Sequence, residues 1–177
     1  MNYTMNELPD YYLQLNETYS LADKAHDFVV HRAEWKYVPY IWVVSNSPNK
    51  FETWIKLDPF LMALHNKFHG WVDFYITRAH HAHSWHTDAA EKCSINMVFE
   101  EYNSHTLFSI KNEQVDIHEF KELKYQPNKW TIINTAKKHT VMNFESRDRL
   151  LMCYRMPGGT TYQTVVDWYK NEYSQTV

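Results

Sequence analysis

The chain reads as a mainly β protein with flanking helices, its β core closed or double-sheeted and covered by helices from the N-terminal end. Three observations predict this. From Trp71 onward the sequence falls into about eight short strand-like runs of even spacing, a pattern of sandwiches and barrels rather than βαβ units. The pieces between them are polar turns: Glu-Tyr-Asn-Ser, Gln-Pro-Asn-Lys, Asn-Thr-Ala-Lys-Lys and Glu-Ser-Arg-Asp. Before residue 70 the texture differs, and helix-start signals dominate.

Taken in order, Ser20 with Asp23 resembles a capping box, and Leu21, Ala25, Phe28 and Val29 fall on one face of the helix that follows. Residues 40–45 read as an apolar strand, ended by a turn at Ser47-Pro48-Asn49. Asp58-Pro59 places an N-cap and then Pro at the first helical position; Phe60, Leu61, Leu64 and Phe68 form the apolar stripe and Gly70 the stop. Strands are expected near 71–78, 83–88, 93–99, 105–111, 114–119, 130–134, 139–144 and 149–156. In the last, Leu150, Met152, Tyr154 and Met156 alternate with Arg149, Leu151, Cys153 and Arg155. Such a strand needs cover on both faces, one lining the barrel interior and the other lying against helices. After Gly158-Gly159, residues 161–173 read as a helix with Val165, Val166, Tyr169 and Tyr173 on one side. The division is a single domain over 1–177, with a helical cover at 1–70, the β core at 71–156 and a C-terminal helix at 157–177.

Composition narrows the function classes. At 177 residues with 44% hydrophobic and 22% charged residues, the chain has the make-up of one ordinary globular domain. A formal charge of −3 supplies no basic field for phosphate, so no nucleic-acid partner is expected. Cys93 and Cys153, the only cysteines, lie in apolar runs and read as reduced core thiols. Met1-Asn2-Tyr3-Thr4 has no signal pattern and no run approaches membrane-spanning length, so a cytoplasmic protein without a membrane partner is expected. No internal repeat occurs, nor a His-Glu-x-x-His, Gly-x-Ser-x-Gly, phosphate-loop or dinucleotide glycine motif.

The motif that carries chemistry is His86-Thr87-Asp88, with His139 53 residues after His86 and Arg149 ten further on. Residues i and i+2 of an extended segment point the same way. A third ligand from a distant strand closes a site with three protein ligands on one face of a metal, the arrangement expected of a non-haem Fe(II) oxygenase. His86 and Asp88 end one strand-like run, before a turn at Ala89-Ala90-Glu91-Lys92, while His139 and Arg149 each open another. Neighbouring strand ends converge in space. Arg149 offers a planar cationic fork for a carboxylate; Arg147, in the turn, is the competing choice.

Trp85-His86-Thr87-Asp88 followed by Cys93-Ser94-Ile95-Asn96-Met97-Val98, and Lys138-His139-Thr140-Val141-Met142-Asn143 running on to Arg149-Leu150-Leu151-Met152, resemble the 2-oxoglutarate/Fe(II)-dependent oxygenase superfamily. Within it they are similar to small aspartyl/asparaginyl β-hydroxylase-like members, a look shared by small phage-encoded oxygenases working in an infected host cell. The resemblance covers about residues 70–156 and implies a double-stranded β-helix (jelly-roll, cupin-like) core. It implies His86, Asp88 and His139 as iron ligands at the catalytic centre, Fe(II) and 2-oxoglutarate as cofactor and cosubstrate, and Arg149 as partner of the far carboxylate. Asn96 would be a second cosubstrate contact and Tyr75 a third, with packing as the competing explanation for Tyr75. The implied activity is hydroxylation of an amino acid, a peptide or another small molecule. One departure is Leu151, where some subfamilies carry a hydroxyl residue that shares the carboxylate. His83 is an alternative positioning group or ligand, whereas His80 and His81 read as polar residues at a strand entrance. Two other classes remain open: a cupin-like metalloenzyme that does not use 2-oxoglutarate, and a non-catalytic binding or structural module.

Overall fold

Alternation within the strands divides the molecule into a packed layer and a channel. The structure, a computed structural model, describes residues 7–8, 10–38, 41–47, 49–88, 92–112 and 117–175. Two antiparallel sheets face each other. The major sheet runs β1 (Glu7–Leu8), β2 (Tyr12–Thr18), β10 (Lys129–Ile133), β7 (Ser94–Val98), β12 (Arg149–Arg155), β5 (Trp71–Thr77), β4 (Ile41–Val44) and β3 (Trp35–Val38). The minor sheet runs β6 (His81–Ala82), β11 (His139–Asn143), β8 (Ser104–Asn112) and β9 (Ile117–Leu123). This is the expected jelly-roll core.

Along the major sheet the register assigns each residue a side. Leu13, Ile132, Ile95, Met97, Met152, Tyr154, Val72 and Phe74 share the outer face. They pack against Ala25 and Val29 of α1 (Ala22–His31), Phe60, Leu61 and Leu64 of α2 (Pro59–Phe68), and Val165, Val166 and Trp168 of α3 (Tyr162–Trp168). Each such aliphatic or aromatic side chain contributes about 1.5–3 kcal/mol on burial, so this layer carries the stability. The inner face has a much smaller apolar group, Tyr12 and Ile133 with Phe108 and Leu123 of the minor sheet. The rest of the inner face mixes polar residues, Gln14, Thr131, Asn96 and Arg149, with Val98, Leu151, Cys153 and Tyr75.

The segment 1–70 contains more than the expected helical cover. β1 to β4 extend both ends of the major sheet, and β2 and β3 had no counterpart in the sequence reading. β2 pairs with β10, more than a hundred residues away, and short-range periodicity carries no sign of such a partner. Ser20 does not cap α1, whose N-cap is Leu21 without a side-chain bond. Instead Ser20 N and Oγ both donate to Asp58 Oδ2, at 2.9 and 2.8 Å, while Asp58 Oδ1 accepts from Leu61 N at 2.9 Å. One buried carboxylate therefore caps α2 as expected and also ties down the start of α1. Gly70 is not the left-handed residue that ends α2; His69 takes that role at φ 57°. Gly70 is needed for close approach, since a Cβ there would lie 2.3 Å from the Arg155 carbonyl and 2.5 Å from the Tyr154 ring.

Of the strand expected at 83–88 only a single bridge between His86 and His139 forms, and the short β6 lies just before that range. The strand expected at 114–119 lies at Ile117–Leu123; its residues 114–116, like Met1–Thr4, Tyr40, Pro48 and Ala89–Glu91, fall outside the described residues. The remaining core strands lie within a residue or two of expectation. The expected C-terminal helix is α3, capped by Thr161, followed by a π-helical turn at Tyr169–Tyr173. Cys93 and Cys153 are both buried and free. Among the described residues no helix is long and apolar enough to cross a membrane.

Candidate metal centre

A one-residue bulge aims the first ligand. Ala82 pairs with Met142, and further along His86 pairs with His139. Four steps on one chain therefore match three on the other, an extra residue at Ser84-Trp85 of the kind that re-aims side chains beside active sites. Without it Trp85 would face His139. With it the imidazole turns inward, and Trp85 stacks outside on Phe120 at 5.3 Å. Reciprocal backbone bonds of 2.9 Å join His86 and His139, and Asp88 N donates to the Thr135 carbonyl at 2.9 Å. The 86–88 segment is thereby held extended and both of its side chains point to one side.

The ligand atoms of His86, Asp88 and His139 all lie within 4.8 Å of one another. His86 Nε2 is 3.7 Å from Asp88 Oδ1, and the two imidazole centroids are 4.4 Å apart. His86 Nδ1 donates to the Ser84 carbonyl at 2.7 Å and His139 Nδ1 to the Lys137 carbonyl at 2.9 Å. Those bonds place the proton on Nδ1 and leave each Nε2 lone pair for a cation. Burial pulls the His139 pKa below the ordinary histidine value, opposed by the Lys137 carbonyl, helped by His86 and opposed again by Asp88. The neutral form is the ligand form. Two imidazole nitrogens and a carboxylate on one side of an ion are the donor set of a non-haem iron site with open positions. The residues fit the group.

Arg149 opens β12 on the inner face of the major sheet. It is 2% exposed, pairs with Thr77, and has no carboxylate within ion-pair distance among the described residues. Its guanidinium lies 5.1 Å from the Tyr125 ring centroid and bonds the Tyr125 hydroxyl, while Nε and Nη2 have no protein partner. Burial lowers its pKa, opposed by Tyr125 and Tyr102. A buried cation with idle donors is strongly unfavourable unless a ligand completes it. Asn96 bonds the same Tyr125 hydroxyl and leaves its own Oδ1 idle; Gln14 Nε2, Thr131 Oγ1 and Thr106 Oγ1 are buried and unpartnered too. Gln14, Thr131 and Asn96 are paired in register, and Asn96 pairs with Cys153, so with Arg149 they share the inner face.

Tyr75 sits on this face opposite Leu151. Burial raises its pKa, with Cys153, Asp73 and Asp88 adding to the effect and Arg155 opposing it. Burial raises the Cys153 pKa well above its ordinary value, with Asp73, Asp88 and Cys93 adding to the effect and Ser94 opposing it. Arg149 opens β12 four residues before Cys153, roughly 13 Å along the strand. Arg147, the alternative anchor, is a surface residue paired with Glu100 and Glu145 and lying 4.9 Å from the Tyr102 ring centroid. His83 does not join the ligands: its Nε2 meets Thr77 Oγ1 at 3.3 Å, and His81 packs edge-on against it. Tyr125, Gln14, Thr106 and Thr131 escaped the sequence reading. Only the register sets Gln14 and Thr131 beside Asn96 on the inner face, and only the fold brings Tyr125 to Arg149.

No protein-family model matches the chain, and no curated protein matches it in sequence. Solved structures do share its fold. A 2OG-Fe(II) oxygenase family oxidoreductase from Burkholderia pseudomallei is similar at TM-score 0.57 and 13% identity, over 82% of this chain and 84% of its own. A Pseudomonas putida prolyl-4-hydroxylase matches at TM-score 0.56 and 10% identity, over 85% of this chain and 95% of its own. The viral collagen prolyl hydroxylase of Paramecium Bursaria Chlorella virus-1, in its 2OG complex, matches at 0.55 and 9%, over 86% and 98%. At these identities the likeness is one of fold.

Proposed function

We propose that the protein is an Fe(II)- and 2-oxoglutarate-dependent hydroxylase. The observation that supports this most is Arg149, a buried guanidinium with no carboxylate partner among the described residues, in the same two-sheet core as a three-residue cluster able to hold a metal ion. His86, Asp88 and His139 would hold the iron. Arg149 would hold the far carboxylate of 2-oxoglutarate, with Tyr125 fixing the guanidinium and Asn96 beside it. Bound iron and cosubstrate supply the oxidation: R–H, O2 and 2-oxoglutarate give R–OH, succinate and CO2.

The chain's own part is binding, orientation and exclusion of water. The Ser84 and Lys137 carbonyls hold both imidazoles with Nε2 forward. The Tyr12, Phe108, Leu123 and Ile133 group packs between the sheets and keeps bulk water from that side of the channel. Leu151 lacks a hydroxyl to share the cosubstrate carboxylate, and the Tyr125 hydroxyl, already bonded to Arg149, stands in for it. Membership of the β-hydroxylase-like branch and a cytoplasmic setting belong to the same proposal. They rest on the motif resemblance and on the reduced cysteines. The substrate is an amino acid, a peptide or another small molecule.

The test is anaerobic titration with Fe(II) and then 2-oxoglutarate. A visible charge-transfer band is expected only after the second addition, and not in His86→Ala or His139→Ala. A folded, iron-loaded protein that gives no band with 2-oxoglutarate would overturn the reading.

A further inference from the structure

β9 is the outermost strand of the minor sheet, with β8 on one side and, among the described residues, no strand on the other. The direction of its backbone groups follows from its neighbour. Ser109 N donates to the Lys138 carbonyl at 2.9 Å, and the Asn103 carbonyl accepts from Phe144 N at 3.1 Å. Odd-numbered residues along this stretch therefore turn their polar groups toward β11. Phe120 pairs with Ser109 and Glu122 with Leu107. In an antiparallel ladder the partners of such residues point the opposite way, so the N–H and C=O of Phe120 and Glu122 project from the outer edge. The Glu122 carbonyl bears this out, since it accepts from the hydroxyl of Tyr12, a residue of the other sheet, at 3.2 Å. An edge of this kind is a template for another strand.

The side chains along the edge are complementary to themselves. Glu119 and Lys121 are both exposed, with 3.8 Å between carboxylate and ammonium, and Phe120 between them is 56% exposed. A second strand must set its own outward groups against these, so the allowed registers differ by steps of two residues. With Phe120 opposite Phe120, Glu119 of each copy faces Lys121 of the other. One step in either direction sets Glu119 opposite Glu119 or Lys121 opposite Lys121. Opposite charges across a pair stabilise and like charges destabilise, so one register is favoured and both of its neighbours are penalised. That register has a two-fold axis and is closed, because each copy uses up the other's edge. On the outer face Phe120 stacks on Trp85 at 5.3 Å, and the axis brings the two stacks side by side.

We propose that β9 pairs antiparallel with β9 of a second copy of this chain, about a two-fold axis at Phe120, and joins the two minor sheets into one. Charge selects the partner. The antiparallel complement of Glu-Phe-Lys is Glu-Phe-Lys itself, so no other extended segment is needed to satisfy it. Phe120 exchanges both backbone hydrogen bonds with its own counterpart, and an exposed aromatic residue at the centre of an open edge is covered. The pairing is independent of the metal centre and of the proposed activity.

The test is sedimentation equilibrium of the full-length protein at low salt, over a concentration series reaching about 1 mM. The parent is expected to show a monomer–dimer equilibrium. Lys121→Glu sets like negative charges on both sides of the axis and Glu119→Lys sets like positive ones. Each is expected to raise the dimer dissociation constant about tenfold or more, with an unchanged circular dichroism spectrum because both side chains are exposed. An equimolar mixture of the two variants restores opposite charges at both positions and is expected to pair as tightly as the parent. So is the chain carrying both substitutions. Rescue on mixing is specific to this register, since a general effect of surface charge would leave both variants monomeric. A parent that stays monomeric throughout the series, a dimer indifferent to both single substitutions, or a mixture that fails to associate would overturn the proposal.

Discussion

Replacing Arg149 with methionine separates a ligand-binding arginine from a structural one. The guanidinium is 2% exposed, bonds Tyr125, and leaves Nε and Nη2 idle. Two charge-assisted hydrogen bonds to a carboxylate contribute about 1.5–3 kcal/mol each, so losing the pair weakens 2-oxoglutarate by roughly 10²-fold or more. Stability should respond in the opposite sense. A buried charge that lacks a counter-charge is a burden on the ligand-free fold, and an apolar residue of similar volume is neutral or stabilising there. Tyr125 retains Asn96 as a partner. The melting temperature of the ligand-free variant should therefore stay within about 3 °C of the parent, roughly 1 kcal/mol for a chain of this size, or rise. The assays are the dissociation constant from the anaerobic band titration and calorimetric unfolding without ligand. A variant that melts many degrees lower while binding 2-oxoglutarate unchanged would refute the reasoning, because Arg149 would then be a structural member of the inter-sheet packing.

Three further outcomes follow from the geometry. His139 has a folded pKa below its unfolded value of about 6.5, so the unfolded chain binds more protons below neutrality. Its contribution is intact above about pH 6.5 and is lost as pH falls through the folded value; His139→Gln should flatten the metal-free stability profile over that window, and an unchanged slope would contradict the assignment. Asp58→Ala removes the α2 cap and both bonds to Ser20 and should cost about 2–4 kcal/mol by chemical denaturation; a loss under 1 kcal/mol would show that α1 and α2 are held by packing alone. Gly70→Ala drives a Cβ against the Arg155 carbonyl and the Tyr154 ring, so about 1–3 kcal/mol of overpacking is expected from calorimetry. A neutral result would mean that the α2–β5 junction yields.

The parts of the site that were legible in the sequence were those fixed locally. His86 and Asp88 are neighbours in an extended segment, and the strand openings at His139 and Arg149 follow from turn residues just upstream. The α2 start at Asp58-Pro59 was legible for the same reason, being complete within four residues. Ser20 was misread because the carboxylate it bonds belongs to Asp58, not to Asp23. A capping pattern states which groups can bond, and only the tertiary neighbour decides which do.

The sequence alone determined that a mostly antiparallel β core would form, which residues alternate on its strands, and that two imidazoles, a carboxylate and an arginine were candidates for one site. Tertiary structure decided what those residues meet. The bulge at Ser84-Trp85 turns His86 inward. The pairing of β2 with β10 and of β10 with β7 sets Gln14 and Thr131 in line with Asn96 inside the channel, and the contact with Tyr125 fixes the Arg149 fork. The physical reason is that side-chain direction repeats every two residues and can be read along a strand, whereas partner and register are set by burial summed over distant segments.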